Sequence, residues 1–377
     1  MAAYSRSHHS CKLQKLNTIY FKASGVGSKG LDTLNALSIT MSQKWAYTGI
    51  ETLSEAARAD MLRMIEIYPW YLAHDNMNLA YKTYEQRLDN QGRFDSGTAG
   101  TVFVVKSPAA VRPKVDDMQA AIAVGSKNPI TPKDIYKLEL KNAPFIRRRA
   151  IHRILRILIE CPAFNFATYE HRDSDVFVRP PLIEPLPTGP EHATVQFMLD
   201  TLDIDEASYE GNDRVIHEFL RQLGLNNTTE KQKILILGDV IVWIGDQLTI
   251  SRIRGLQRFR SEDLNSYERL SFIAKQFGWL HLQFAYENSL HKQYYSTSFG
   301  LSHDFSVLNR KRLNSPSIKG TFHHDFQEGL FHVGEAHLRD IWRIVGKVND
   351  LSELRTRTPE QLKELANTIF ARVASEL

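Results

Sequence analysis

The hydrophobic pattern predicts a mixed α/β chain that is rich in helices. Apolar residues at helical spacing follow the capping-box pattern Thr52-x-x-Glu55, and this helix is expected to end before Pro69. Aromatic and β-branched runs predict strands at 70–73, 101–105, 234–244 and 279–284. Further helices are predicted at 131–159, 213–223, 267–277 and 333–345, and after the start signal Thr358-Pro359-Glu360-Gln361.

Clustered prolines between positions 180 and 190 indicate a boundary in the chain. We divide the sequence into a loop-rich N-terminal segment (1–43), a first strand-containing part of the core (44–110), a helical insertion with the proline-rich linker (111–191), and a C-terminal part (192–377). Gly25-x-Gly27-x-x-Gly30 matches a dinucleotide-binding pattern, but no clear strand precedes it and no periodic helix follows, so a plain loop is favoured.

Composition narrows the function classes. The 377 residues are 42% hydrophobic and 24% charged, which is typical of a globular protein, and the net charge of +4 permits an anionic partner such as DNA. The two cysteines form no Cys-x-x-Cys pair, which argues against a cysteine zinc site. No secretory signal and no apolar run of membrane-spanning length is seen. These patterns predict a soluble intracellular protein without an evident small-molecule cofactor.

Two of the predicted strands end on or beside an aspartate. Asp75 follows strand 70–73, and Asp246 follows strand 234–244 within the Gly-Asp-Gln-Leu-Thr run at 245–249. A third acid, Glu335, opens the predicted helix at 333–345. Carboxylates held on rigid elements are the ligands that Mg²⁺ or Mn²⁺ needs for phosphodiester chemistry. Asp75, Asp246 and Glu335 are therefore candidate catalytic acids, with Asp75 and Asp246 as metal ligands.

A structural role for the same acids stays open. An aspartate after a strand often opens a turn or caps the next helix, a task that Thr249 or Ser251 could share with Asp246. Asp75 precedes turn-forming asparagines, and an acid in the first turn of a helix is favoured by the helix dipole alone. Other acids compete with these three: Asp239, Asp325, Glu328 and Asp340.

Basic residues after Asp246 are candidates for contacts with a nucleic-acid backbone, namely Arg252, Arg254, Arg258 and Arg260. The arginines of the helix at 147–156 could do the same, although charged helix faces are usually just solvated. Four histidines near the third acid lack the spacing of a zinc signature and are interpreted as ordinary surface residues: His323, His324, His332 and His337.

Several segments resemble a fungal family, the domain of unknown function numbered 6589. They are the runs at 205–212 (Asp-Glu-Ala-Ser-Tyr-Glu-Gly-Asn), 222–225 (Gln-Leu-Gly-Leu), 245–249, 268–270 (Glu-Arg-Leu) and 359–362 (Pro-Glu-Gln-Leu), with 75–78 (Asp-Asn-Met-Asn) as an upstream segment. The Gly-Asp-Gln-Leu-Thr run is the most specific of them. The resemblance extends from about Met41 onward.

That family in turn resembles transposases with a ribonuclease-H-like domain. The resemblance implies a first acid on the first strand, a second after the fourth strand, and a third on a late helix. By order, Asp75, Asp246 and Glu335 take these places. Only one predicted strand follows Asp75 where the resemblance implies a hairpin, and the long stretch before Asp246 requires a large helical insertion.

The sequence thus favours a transposon-derived, ribonuclease-H-like α/β protein that uses, or once used, Mg²⁺ or Mn²⁺ on DNA, and a DNA-acting protein of this kind would be nuclear. The alternative is a non-catalytic helical protein for interaction or nucleic-acid binding, in which Asp246 is a turn residue. Whether catalysis survives is left open between them.

Overall fold

The computed structural model describes residues 11–81, 93–226, 238–294 and 322–374. The helices are α1 (Lys12–Ala23), α2 (Ser28–Ala36), α3 (Gln43–Ile67), α4 (Val115–Lys127), α5 (Pro132–Ile159), α6 (Tyr209–Gln222), α7 (Gln247–Phe259), α8 (Trp279–Tyr294), α9 (Phe322–Gly346) and α10 (Pro359–Ala374). The strands are β1 (Trp70–Tyr81), β2 (Arg93–Val105), β3 (Thr194–Met198), β4 (Ile241–Gly245) and β5 (Ile273–Phe277). The predicted mixed, helix-rich α/β class is confirmed. None of the described helices combines the length and the apolar character needed to cross a membrane.

The chain forms two compact units. The first unit combines Met1–Gln119 with Thr188–Gln276 and contains the sheet, whereas the second combines Ala120–Pro187 with Phe277–Leu377 and is helical. The chain therefore leaves the first unit after β2 and returns to it just before β3.

All five strands belong to one sheet with the order β3-β2-β1-β4-β5. β1 pairs antiparallel with β2, β2 pairs antiparallel with β3, and β1 pairs parallel with β4. β3 was missed from the sequence because its five residues have only two half-buried apolar side chains, Val195 and Phe197. The antiparallel partner expected beyond β2 is thus present, but it follows the excursion into the second unit.

Buried and partly exposed side chains alternate along the strands, so the sheet has two different faces. Leu72, Val102 and Trp243 are fully buried and pack with Phe219 of α6 in the core of the first unit. The opposite face is partly exposed and includes Tyr71, which stacks on Phe103 with 4.8 Å between ring centroids. Burial raises the pKa of the Tyr71 hydroxyl. Acids on this second face can be reached from solvent without opening the core.

The N-terminal part differs from the prediction, since α1 and α2 occupy most of the described residues, 11–43, of the segment expected to be loop-rich. Helix α3 begins at Gln43 rather than after Thr52, because Ser42 caps it by accepting a hydrogen bond from the Trp45 amide at 3.2 Å. Thr52 lies inside α3 and donates to the Thr48 carbonyl at 2.8 Å. The spacing Thr-x-x-Glu is therefore not a helix start here.

Residues 267–284 also differ from the prediction, which placed a helix at 267–277 and a strand at 279–284. Turns lead to β5, and α8 follows. The amide of Ile241 donates to the Phe272 carbonyl at 2.9 Å, and the Gln257 side chain donates to the Leu270 carbonyl at 2.7 Å. These long-range bonds hold the segment beside β4, so tertiary contacts override its local helical pattern.

The second unit has its own core, built where α5, α9 and α10 pack together. Four apolar residues predicted to form a stripe on α5 are buried there: Ile151, Ile154, Leu155 and Leu158. Trp342 of α9 is fully buried and donates to the Ile154 carbonyl at 3.1 Å. The predicted start of α10 is confirmed, because Thr358 and Gln361 exchange both capping-box hydrogen bonds.

An ionic cluster links α6 to α7. Asp213 lies 2.6 Å from the Arg260 guanidinium and 3.4 Å from Nδ1 of His217. Burial tends to raise the pKa of Asp213, but the hydrogen bonds and charges of His217 and Arg260 outweigh it and lower that pKa. The hydrogen bond with Asp213 raises the pKa of His217, against the opposing effect of burial.

We expect this cluster to stabilise the first unit more at acidic pH. Because the folded pKa of His217 is raised, its contribution is complete below the unfolded value of about 6.5 and is lost as the pH rises through the folded pKa. H217Q should lower the melting temperature more at pH 5.5 than at pH 8.5, by up to about 4 °C. The matched control H332Q alters an exposed histidine of the second unit and should leave the pH dependence of the cluster unchanged. Equal losses at both pH values would contradict the assignment.

Candidate functional site

Asp75 lies within β1 and not at a strand end as predicted, because β1 continues to Tyr81, whereas Asp246 directly follows β4. The two acids stand at the same level of these neighbouring parallel strands. The last paired positions of β1 and β4 are Ala73 and Ile244, and each aspartate comes two residues later. Tyr71 pairs with Val242 and Ala73 with Ile244, so this alternating set of positions lies on the partly exposed face. Asp246 keeps an extended backbone (φ −72°, ψ 179°). The alternation therefore continues to both acids and places them on that face.

Asp246 also begins α7. Its Oδ1 accepts a hydrogen bond from the Thr249 amide at 2.6 Å, which is the geometry of a helix N-cap. A Cβ at Gly245 would lie 2.5 Å from Cγ2 of Thr249, so glycine allows the buried threonine to close over the strand end. The Gly-Asp-Gln-Leu-Thr run is thus a strand-to-helix turn. The alternative role of Asp246 as a cap is present in the structure.

The cap occupies only one oxygen of Asp246. Within the described ranges, its Oδ2 takes part in no hydrogen bond or ion pair. Asp75 is exposed, and its Oδ1 accepts from the Asn76 amide at 2.9 Å. No group of three or more metal-ligating side chains is found among the residues that the structure describes. The face holds two acids at matching positions but no complete ligand cage.

Glu335 belongs to the second unit. It lies in the interior of α9, which begins thirteen residues earlier at Phe322, and not at a helix start as predicted. Its carboxylate forms an ion pair with Arg339 one turn later. The predicted catalytic role of Glu335 stays a prediction.

Two of the four candidate DNA-binding arginines have structural partners. Arg252 donates to the Ala207 carbonyl at 3.1 Å and lies over the Tyr209 ring at 4.6 Å, and Arg260 pairs with Asp213. Arg254 and Arg258 are exposed on α7. The charge run therefore offers fewer accessible cations than its sequence indicates.

Sequence reasoning missed a buried polar centre on the other face of β1. His74 receives a hydrogen bond at Nδ1 from the Trp243 indole at 2.7 Å, and its Nε2 lies 2.6 Å from Oε2 of Glu206. Both ionisable side chains are almost completely buried. Because the indole is a donor only, Nδ1 acts as the acceptor and Nε2 carries the ring hydrogen. The signal available in the sequence was that His74 lies two residues after Leu72, which places both side chains on the same face of the strand.

The run at 205–212 is built around Glu206. Asp205 accepts from the Ala207 amide at 2.9 Å, and Ser208 caps α6 by accepting from the Gly211 amide at 2.8 Å. The Asn212 side chain donates to the Glu206 carbonyl. A Cβ at Gly211 would collide with the Asp205 carbonyl. The run is a tight turn that brings Glu206 to His74.

Two further acids were also placed by the structure. Asp239, one of the competing acids, pairs with Arg112 and Lys114 and lines a cleft of about 560 Å³ with Arg58 and Trp70. Burial opposes the effect, but hydrogen bonds from Lys114 and Arg112 lower the pKa of Asp239. Glu287 on α8 is buried; its Oε1 accepts from Gln283 at 2.9 Å, and its Oε2 has no hydrogen-bond partner in the described part of the chain.

Capping and charge can be separated at Asp246. D246A removes the acceptor for the Thr249 amide and should cost about 1 kcal/mol of stability, whereas D246N retains an effective cap and should cost a few tenths. D75A, which removes an exposed carboxylate from β1, provides the comparison within the same face. Chemical denaturation measures all three. Equal losses in D246A and D246N would show that charge, not capping, is what α7 requires.

Comparison with known proteins gives a family but no activity. The model of a family of unknown function (DUF6589) matches residues 125–377, which include Asp246, Glu335 and the run at 205–212 but not Asp75. No curated protein and no solved structure matches the chain. The match covers well over half of the chain, and the chain therefore belongs to the DUF6589 family.

Proposed function

We propose that the first unit is a ribonuclease-H-like domain that acts on DNA through a divalent metal held by Asp75 and Asp246. One observation carries the proposal: the two carboxylates lie two residues beyond the last paired positions of the parallel strands β1 and β4 and share the accessible face. Acids in this arrangement suit phosphodiester cleavage because their positions are fixed by the sheet.

The order of elements supports the fold assignment. Three antiparallel strands are followed by β4, which pairs parallel with β1, and β4 is flanked along the chain by α6 and α7. The resemblance to transposases implies an acid on the first strand and another after the fourth, where Asp75 and Asp246 stand. The excursion between β2 and β3 corresponds to the helical insertion.

The residues fit a Mg²⁺ or Mn²⁺ ion bound mainly by substrate and water. Mg²⁺ is commonly held by one or two carboxylates together with substrate phosphates. Asp246 keeps Oδ2 available while Oδ1 caps α7, and a carboxylate has enough lone pairs for both tasks. When bound, the metal would polarise the phosphate. Asp75 within β1 and Asp246 after β4 would hold the metal.

The third acid of the proposed mechanism remains Glu335 by order in the chain. Its ion pair with Arg339 would have to open for it to bind a metal. E335Q is the corresponding variant.

A second function has its own supporting observation. Asp246 is used as a helix cap, and two of the four arginines on and after α7 are held by internal contacts. In a protein that binds nucleic acid or another partner without catalysis, Asp246 would need only this structural role as a helix cap. The two candidates differ in whether Asp75 and Asp246 bind a metal.

Metal binding is tested by thermal unfolding with Mn²⁺. The wild type should gain about 1.4 kcal/mol at a metal concentration ten times the dissociation constant, whereas D75N and D246N should gain little. D246N is the decisive variant because it preserves the cap of α7 and removes the charge. D60N, on an exposed part of α3, is the matched control and should respond like the wild type. Equal gains in all four proteins would exclude the metal site.

Cleavage is tested separately with supercoiled DNA and Mn²⁺. The catalytic proposal expects nicking by the wild type and at least about a hundredfold less by D75N and D246N. The non-catalytic function would be favoured if the wild type bound DNA without nicking it and gained as little stability from Mn²⁺ as D246N.

A further inference from the structure

A concave basic site lies within the second unit. It is lined by Arg149, His152, Arg153 and Arg156 of α5, and by Arg179 and Pro180 of the following irregular segment, around a volume of about 270 Å³. We call this site the arginine cleft. Positions 149, 153 and 156 follow the i, i+4, i+7 spacing and therefore share one face of α5. Like charges at this spacing destabilise a helix unless an anion lies between them.

Internal contacts compensate only part of this charge. Arg156 pairs with Glu160, and Arg153 lies over the Phe331 ring at 5.9 Å. Arg149 and Arg179 are exposed and form no ion pair or hydrogen bond within the ranges that the structure describes. Two guanidinium groups of the cleft lining thus remain available, one from the helix and one from the segment after it.

The positive charge reaches a half-buried histidine in the same lining. Nε2 of His152 lies 3.3 Å from the Phe177 carbonyl. Burial lowers the pKa of His152, the Phe177 hydrogen bond opposes this, and the charges of Arg156 and Arg179 lower it further. The charges of Arg156 on α5 and of Arg179 on the following segment therefore both act on His152.

We propose that the arginine cleft binds a phosphate group. Guanidinium forks match phosphate oxygens in pairs, and four arginines around a small concavity offer more donors than a single carboxylate accepts. The phosphodiester backbone of DNA is the expected source of that phosphate. Only this choice of source rests on the proposed function, since the site does not depend on metal chemistry at Asp75 and Asp246.

The double variant R149Q/R179Q removes the two exposed arginines without touching the core. Binding of the full chain to a labelled DNA duplex should weaken at least about tenfold at 100 mM salt, and the slope of log affinity against log salt should fall by ~1–2. R148Q is the matched control: Arg148 is exposed on the same helix but lies over Phe145 outside the cleft. It should leave affinity and slope unchanged. R149K/R179K, which keeps charge but loses the forks, should fall between the two.

Inorganic phosphate distinguishes the source of the ligand. At constant ionic strength, replacing chloride by phosphate should raise the melting temperature of wild type and R148Q but not of R149Q/R179Q. A phosphate response without a change in DNA affinity would support a site for free phosphate or a phosphomonoester instead of DNA. The proposal would be overturned if neither the DNA affinity nor the response to phosphate changed in R149Q/R179Q. Because all these variants keep Asp75 and Asp246, their shift with Mn²⁺ should equal that of wild type, so failure here is separate from failure of the metal site.

Discussion

The first unit depends on a histidine buried between two strands and a turn. His74 of β1 accepts from Trp243 of β4 and faces Glu206 of the turn that leads into α6, so one side chain joins three segments that are distant in sequence. Removing one member would leave a buried polar or charged atom uncompensated, at a cost of about 3–5 kcal/mol. The run at 205–212 makes sense as the turn that holds Glu206 there. Asp75 is the next residue after His74, so its position on the accessible face follows from this contact.

Asp246 shows how a structural and a chemical role can share one side chain. As a cap, it fixes where β4 ends and where α7 starts, and it uses one oxygen for that purpose. A carboxylate fixed by a backbone hydrogen bond loses little conformational freedom when its other oxygen binds a cation. Capping therefore does not argue against metal binding by itself; it supplies the rigidity that a metal ligand requires. The charge of Asp246, and not its capping, is the property on which the two candidate functions differ.

Elements with strong local signals could be predicted from the sequence, whereas those fixed by distant partners could not. The apolar stripe of α5 and the capping box of α10 are encoded within their own residues. The segment that leads into β5 is held by the bonds from Ile241 and Gln257, which lie outside it, and a helical pattern was predicted in its place. Asp75 and Asp246 could be selected because each follows an apolar run of residues, although β1 continues past Asp75. The contact between His74 and Glu206 could not be predicted, since neither residue carries a local mark of its partner.

The distribution of arginines shows that charge in a sequence is not the same as charge available to a ligand. The run from 252 to 260 looked like the stronger DNA-binding candidate. However, Arg252 contacts Ala207 and Tyr209, and Arg260 forms an ion pair with Asp213. On α5, Arg149 keeps its guanidinium exposed and is joined in a concavity by Arg179, which no helical periodicity would have associated with it. Internal partners reduce the positive charge that is available to a phosphate. A concave surface strengthens the electrostatic potential of the arginines that stay unpaired. An arginine is thus better judged as a backbone-binding residue by its internal contacts than by its place in a basic run.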